Sequence, residues 1–150
     1  MRTVTQRVTQ ANVKVDGKIV GEIGEGLLVL VGVEDSDTEE DIDWLARKTV
    51  GMRVFDDEQG VMNKSILEIS GNILIISQFT LFASTRKGNR PSYIRASKGD
   101  FANPMYEKFC EKVEELMGRK VERGIFGADM KVSLLNNGPV TIIMDTKYKE

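Results

Sequence analysis

Residues 27–33, LLVLVGV, are apolar throughout. A strand that is exposed on one face alternates apolar and polar residues, whereas a strand buried on both faces has no such alternation. The run therefore predicts a strand inside a sheet that is covered on both sides.

The segments around this run have the alternating pattern of half-buried strands. Residues 3–9 and 11–15 alternate, Asp16-Gly17 is typical of a hairpin turn, and residues 18–23 resume the alternation. Asn136-Asn137-Gly138-Pro139 has the composition of a turn between two strands near the end of the chain. In all, further strands are predicted over residues 64–69, 72–79, 121–126, 130–135 and 140–145.

Two segments have the apolar periodicity of helices. Ser36-Asp37-Thr38-Glu39 offers helix-starting side chains ahead of a stripe formed by Ile42, Leu45, Ala46, Thr49 and Val50. The second helix is predicted to begin with Asn103 as N-cap and Pro104 as first residue, and to end at Gly118. Many strands with two widely separated helices predict one mixed α/β or α+β domain over residues 1–150, and not a doubly wound nucleotide-binding fold.

Composition excludes several kinds of chemistry. The 150 residues include no His, which excludes a Ser-His-Asp triad, a His general base and any His-ligated metal. The single cysteine, Cys110, excludes an internal disulfide and multi-cysteine metal sites. We therefore expect a protein without a metal or other cofactor. No apolar run is long enough to cross a membrane, and the start lacks a signal-peptide core, so we expect a cytoplasmic protein.

Charge is unevenly distributed, although the net charge is only −2. Residues 34–43 carry seven acids and no base, which the dipole at the start of the first helix explains better than a metal site does. Such a low net charge argues against a protein held to nucleic acid mainly by global electrostatics. An RNA or phosphate partner could still use residues 84–98, which contain no acid and carry Arg86, Lys87, Arg90, Arg95 and Lys98.

Two segments carry candidate functional residues. In the first, an apolar strand ends in Ser77-Gln78-Phe79-Thr80 just before the basic segment, and strand ends commonly carry sites. These residues also suit an ordinary strand, and a Ser77 or Thr80 nucleophile would need an adjacent base, for which the sequence supplies no His. In the second, Gly138 allows a ligand or another backbone to approach closely and Pro139 allows a cis peptide bond, although a simple turn explains both.

Together, these segments resemble the paired signatures of the D-aminoacyl-tRNA deacylase family, enzymes that remove D-amino acids from mischarged tRNA. The matching residues are Ser77-Gln78-Phe79-Thr80-Leu81 and Asn136-Asn137-Gly138-Pro139-Val140-Thr141. The similarity extends over essentially the whole chain and includes residues 2–8, 26–33, 41–45, 85–88, 90–92 and 127–130. Each segment is short, but their order and the chain length make the combination specific.

The resemblance implies a layered β/β/α fold and a homodimer whose active site lies at the subunit interface. In it, a cis Gly138–Pro139 bond enters the partner's pocket, holds the α-amino group of D-aminoacyl-tRNA and leaves no room for an L side chain. Because this selection works by rejection, glycyl-tRNA is an expected second substrate.

The resemblance and the residue types together assign candidate roles. The catalytic group is expected to comprise Ser77, Gln78, Phe79 and Thr80. Arg7 and Asn136 are expected to support the Gly138–Pro139 segment. Phosphate contacts position an RNA without reading its sequence, and the candidates for such contacts to tRNA are Arg86, Lys87 and Arg90.

The absence of His agrees with an ester hydrolysis that the substrate assists. The neighbouring hydroxyl of the terminal ribose can help, while backbone N–H groups around Phe79 and Thr80 stabilise the oxyanion. Thr80 is then a positioning residue and not a nucleophile. Two other functions stay open: a non-catalytic RNA-binding module, and a dimer that binds a free D-amino acid or another small metabolite. The sequence supports the first weakly, because it has no aromatic-rich stripe for single-stranded RNA.

Overall fold

The computed structural model describes residues 1–150. The strands are β1 (Arg2–Val15), β2 (Lys18–Ile23), β3 (Gly26–Gly32), β4 (Phe55–Asp56), β5 (Met62–Lys64), β6 (Asn72–Ser77), β7 (Glu122–Arg123) and β8 (Lys131–Asp145). The helices are α1 (Glu39–Gly51), α2 (Gly99–Met117) and one 3₁₀ helix (Phe79–Phe82), which follows β6 almost directly. Neither α-helix combines the length and apolarity needed to cross a membrane.

A six-stranded sheet forms the centre of the fold. Its strands follow the order β2-β1-β3-β6-β7. The sixth strand, β8, pairs with β1 on the side opposite β3. The β3–β6 and β6–β7 pairs are parallel, whereas all pairs of β1 are antiparallel. β4 and β5 form a separate two-stranded pair. These features confirm the predicted mixed α/β fold with largely antiparallel sheets and two main helices.

The central strand β3 is buried on both faces, as the sequence predicts. Leu27, Val29 and Val31 belong to the larger core cluster, which also contains the apolar faces of α1 and α2. Leu28 belongs to a second cluster, whose other members come from β1, β2 and β6. The helices thus cover one face of β3, and residues from the neighbouring strands cover the other.

The first helix begins where the sequence predicts. Thr38 is its N-cap residue, and the Asp41 carboxylate accepts hydrogen bonds from the Thr38 N–H at 2.8 Å and from the Lys147 ammonium at 2.7 Å. Burial opposes ionisation of Asp41, but these hydrogen bonds outweigh it and hold its pKa well below the usual range. The acidic cluster therefore contains a helix cap and an ion pair.

The second helix begins a turn earlier than predicted. The predicted start at Asn103 and Pro104 is wrong, because the helix begins at Gly99 and Pro104 is its sixth residue. In the added first turn, the Ala102 N–H donates to the Lys98 carbonyl at 2.8 Å and the Ala102 side chain is buried. We infer that packing of this turn offsets the hydrogen bond that Pro104 cannot donate.

The strand predicted over residues 64–69 is also wrong. β5 ends at Lys64, and the chain then turns. The Glu68 carboxylate accepts hydrogen bonds from the N–H and the hydroxyl of Ser65, at 2.6 and 2.8 Å, which closes the turn. Only Ile66 of this segment is fully buried, so its alternation reflects one anchoring side chain and not a strand.

Two further strands are shorter than predicted. β6 ends at Ser77, because the chain leaves the sheet there to form the 3₁₀ helix. β7 covers only Glu122–Arg123 of the predicted residues 121–126. A turn follows it, in which the Ala128 N–H donates to the Ile125 carbonyl at 3.1 Å.

The last strand runs through the segment for which composition predicts a turn. Lys131–Asp145 is one strand, β8, so the turn prediction for residues 136–139 is wrong. β8 pairs with β1 on both sides of this segment, and its four residues 137–140 stand opposite the single residue Arg7. The segment is therefore a bulge in the β1–β8 ladder.

Replacing Gly26 with Ala is expected to destabilise the protein strongly. A Cβ atom at Gly26 would lie 1.8 Å from the Asn72 carbonyl oxygen of the paired strand β6. Since this contact is with backbone, the strands would have to separate, and the free energy of unfolding should fall by about 3 kcal/mol or more in chemical denaturation. Gly24→Ala is the matched control, because nothing lies within 4 Å of that Cβ position. Equal losses in the two variants would contradict the prediction.

Candidate active site

A cavity of about 310 Å³ opens at the carboxyl ends of the parallel strands β3 and β6. Ligand sites commonly lie at this edge of parallel strands, because the chain leaves the sheet there and backbone groups become free. Its lining residues are Val31, Val33, Ile76, Ser77, Gln78, Phe79, Ser97, Ala102, Tyr106, Phe126, Gly127, Ala128, Asp129, Met130 and Val132.

The predicted catalytic segment lies at this opening. The Gln78 N–H donates to the Val31 carbonyl at 2.7 Å, and the chain then turns into the 3₁₀ helix. Because Phe79 and Thr80 begin that helix, their N–H groups have no partner within it. The Gln78 side-chain amide donates to the Thr80 hydroxyl at 2.6 Å. Ser77, Gln78 and Phe79 line the cavity, and Thr80, the next residue, does not.

Arg2 donates a hydrogen bond to the 3₁₀ helix, and the sequence analysis did not predict this role. Its guanidinium donates to the Leu81 carbonyl at 2.8 Å, pairs with Asp145 at 2.7 Å and lies 4.9 Å from the centre of the buried Phe82 ring. No local pattern distinguishes this residue from an ordinary strand arginine. Its contacts depend on two segments about 80 and 143 residues away.

The cavity wall is largely apolar, and its only carboxylate, that of Asp129, pairs with the Lys131 ammonium at 2.9 Å. The Tyr106 hydroxyl donates to the Ile75 carbonyl at 3.0 Å, and burial raises the pKa of Tyr106 far above its usual value. Cys110 does not line the cavity, and burial raises its pKa to about 12. Both groups therefore stay protonated near neutral pH. No cluster of three or more His, Cys, Asp or Glu residues could hold a metal ion.

Twelve of the fifteen lining residues were not among the predicted site residues. Among them are Phe126, Ala128 and Met130, which follow β7 along the chain. The available signal for Ala128 and Met130 was the 127–130 segment, which is part of the family resemblance and includes the carboxylate of Asp129.

The second predicted segment does not reach the cavity of its own chain. Gly138 and Pro139 are exposed on β8, and the peptide bond between them is cis. The strand register places Gly138 of β8 level with Ile73 of β6, which is three strands away across the sheet. Ser77 lies four residues, or about 13 Å, further along β6. The two candidate segments are therefore well separated within one protomer.

Arg7 contacts the Gly138–Pro139 segment, and Asn136 lies beside it. The Arg7 guanidinium donates to the carbonyls of Asn137 at 2.8 Å and Val54 at 2.7 Å, and its side chain is only 8% exposed. These bonds tie the bulge to the loop after α1. Asn136 is exposed and pairs with Val8 in the β1–β8 ladder.

The three candidate tRNA contacts share one loop. Arg86, Lys87 and Arg90 are all exposed, and the loop is closed by two backbone hydrogen bonds of 2.8 Å between Ser84 and Ser92. Arg95, from the same basic segment, instead pairs with Glu34 at 3.2 Å.

Comparison with known proteins identifies the family. Residues 4–145 match the model described as D-Tyr-tRNA(Tyr) deacylase. A protein of Parabacteroides distasonis named D-aminoacyl-tRNA deacylase is 62% identical over 150 residues, which are 100% of both chains. The fold, the cavity and these matches define a hydrolase that acts on ester bonds. The chain belongs to the D-Tyr-tRNA(Tyr) deacylase family.

Solved structures show the same fold. One, described as c-Myc DNA Unwinding Element Binding Protein, has a TM-score of 0.92 and 38% identity, and the match covers 97% of this chain and 98% of that chain. Another, described as a probable eukaryotic D-amino acid tRNA deacylase, has a TM-score of 0.83 over 95% and 97% of the two chains. Its identity of 20% supports the fold alone.

Proposed function

We propose that the protein hydrolyses the ester bond of D-aminoacyl-tRNA in the cytoplasm, releasing the free D-amino acid and tRNA. The observation that carries this proposal is the cavity at the β3 and β6 ends, where Ser77, Gln78 and Phe79 meet an apolar wall. The full-length similarity to a protein named D-aminoacyl-tRNA deacylase supports the choice of substrate.

The proposed mechanism relies on backbone groups and on the substrate. Water adds to the ester carbonyl carbon, and the N–H groups of Phe79 and Thr80 donate to the resulting oxyanion. The carbon–oxygen bond to the ribose then breaks, and the ribose oxygen leaves with a proton that the neighbouring ribose hydroxyl can relay. One such oxyanion donor contributes about 10²–10³ in rate, so this arrangement needs no side-chain base of unusual strength.

We further propose that two protomers share each site. Gly138 and Pro139 of one protomer would enter the cavity of the other, where their carbonyls accept hydrogen bonds from the substrate's α-ammonium group. Both residues are exposed, and the same strand also exposes Leu135 and Ile143, by 56% and 68%. Rejection of any L side chain at this segment would still admit glycine, so glycyl-tRNA is a proposed second substrate.

The loop with Arg86, Lys87 and Arg90 is proposed to contact tRNA phosphates. Its exposed cations lie on the chain that continues from the 3₁₀ helix, so a tRNA end in the cavity would bring its backbone near them. Such contacts position the substrate without reading its sequence.

Hydrolysis of D-tyrosyl-, L-tyrosyl- and glycyl-tRNA, measured against the spontaneous rates, tests the central proposal. We expect fast loss of the D-tyrosyl and glycyl esters only, with the same rates in the presence of a chelator. A protein that bound tRNA without accelerating any hydrolysis would be an RNA-binding module. One that retained free D-tyrosine and ignored charged tRNA would be a metabolite-binding dimer.

Thr80 variants test the assignment of a positioning role. Removing its hydroxyl deletes the hydrogen bond that it accepts from the Gln78 amide, so we expect Thr80→Ala to lower kcat by about tenfold, the scale of one hydrogen bond. Thr80→Ser, which keeps the hydroxyl, should stay close to the original rate. Loss of all activity in a folded Thr80→Ala protein, or an acyl group trapped on Thr80, would show that Thr80 is instead the nucleophile.

Complementation tests the shared site. Gly138→Ala places a Cβ 2.9 Å from Val140 at a φ of +134°, which should distort the segment, while Gln78→Ala alters the cavity. Each variant alone should lose most activity. In random mixed assembly, half of the dimers are mixed and each has one intact site, so about a quarter of the original activity should return. No recovery, despite mixed dimers seen by mass spectrometry, would contradict a shared site.

A further inference from the structure

Two aromatic rings are exposed side by side at the mouth of the cavity. Phe79 and Tyr93 are 55% and 40% exposed, and their ring centres lie 5.2 Å apart at an interplanar angle of 73°. They are 14 residues apart in the sequence, which is why no aromatic stripe is visible there. In an edge-to-face pair, the edge of one ring contacts one face of the other ring. The remaining ring faces do not take part in the contact and can be exposed to solvent.

The backbone around Tyr93 holds its ring at this position. The Ser84–Ser92 hydrogen bonds fix the residue before it, and the Ala96 N–H donates to the Tyr93 carbonyl at 3.0 Å. The next residue, Ser97, donates its N–H to the Val33 carbonyl at 2.9 Å and lines the cavity. Tyr93 is therefore part of the rim and not of a free loop tip.

The charge around the pair is complementary to a nucleic-acid backbone. The loop closed by Ser84 and Ser92 carries Arg86, Lys87 and Arg90, all exposed, and residues 84–98 include no acid. A surface that combines exposed rings with nearby cations is the pattern by which proteins hold single-stranded nucleic acids, with bases stacked on the rings and phosphates near the cations.

We propose that Phe79 and Tyr93 form a stacking platform for an unpaired base of the RNA that immediately precedes the esterified nucleoside. This proposal rests on the proposed function and adds the way in which the enzyme distinguishes an RNA end from a simple ester. Phe79 lines the cavity and contacts Tyr93, so a nucleotide chain that leaves the cavity on this side passes the pair. Stacking tolerates any base, which suits an enzyme that acts on many tRNAs.

Tyr93 variants and two substrates of different length test the platform. D-Tyrosyl-tRNA carries the preceding bases, whereas D-tyrosyl-adenosine has none. For Tyr93→Ala we expect KM for the tRNA to rise about tenfold with kcat unchanged, which is the scale of one lost base stack, and no change with D-tyrosyl-adenosine. Tyr93→Phe keeps the ring and should behave as the original protein. Tyr148→Ala is the matched control, because Tyr148 is 69% exposed and contacts neither Phe79 nor the cavity.

Binding of an amide-linked D-tyrosyl RNA oligonucleotide, which cannot be hydrolysed, separates this proposal from the proposed function. If no ester is hydrolysed, the proposed function fails, and weaker binding by Tyr93→Ala alone would still support the platform. Equal binding by all variants overturns the platform.

Two other results would give Tyr93 a different role. Equal effects of Tyr93→Ala on both substrates would make Tyr93 part of the cavity, and a changed mass in light scattering would make it a contact between copies of the chain. Either result also overturns the platform.

Discussion

Backbone hydrogen bonds between the parallel strands β3 and β6 determine where the groups of the proposed site lie. At one end of this pairing, Gly26 lies so close to Asn72 that no larger residue fits, which fixes the register. At the other end, the bond from the Gln78 N–H to Val31 fixes the point where the chain leaves the sheet. The free N–H groups at the start of the 3₁₀ helix, and the cavity beside them, follow from that exit.

The features that sequence predicted well are those that neighbouring residues determine. Burial on both faces is visible in residues 27–33 themselves, and the cap at Thr38 needs only the next few residues. The bulge opposite Arg7 escaped prediction because it depends on how β8 pairs with β1. Wall residues such as Met130 escaped it for another reason: an apolar side chain beside a cavity has the same local pattern as one in the core. The strand end pointed to the segment with the catalytic candidates, but their roles came from the family resemblance, which no propensity could replace.

The proposed site differs from most hydrolase sites in where its chemistry resides. Tyr106 and Cys110 stay protonated near neutral pH, and the only carboxylate in the wall, that of Asp129, is paired with Lys131. Positioned backbone donors are insensitive to pH over the physiological range, and they act on whatever carbonyl is placed before them. Specificity must then come from access and shape, which agrees with the proposed selection by exclusion and with the proposed contribution of a second protomer.

The bulge in β8 has a consequence for the behaviour of the chain in concentrated solution. β8 is an edge strand of 15 residues that pairs only with β1, and a long regular edge is a template onto which other chains can polymerise. Here the bulge interrupts the edge near its middle, and Pro139 has no N–H to offer an incoming strand. The segment proposed to reject L-amino acids therefore also makes this edge of the sheet a poor template for pairing with strands of other chains.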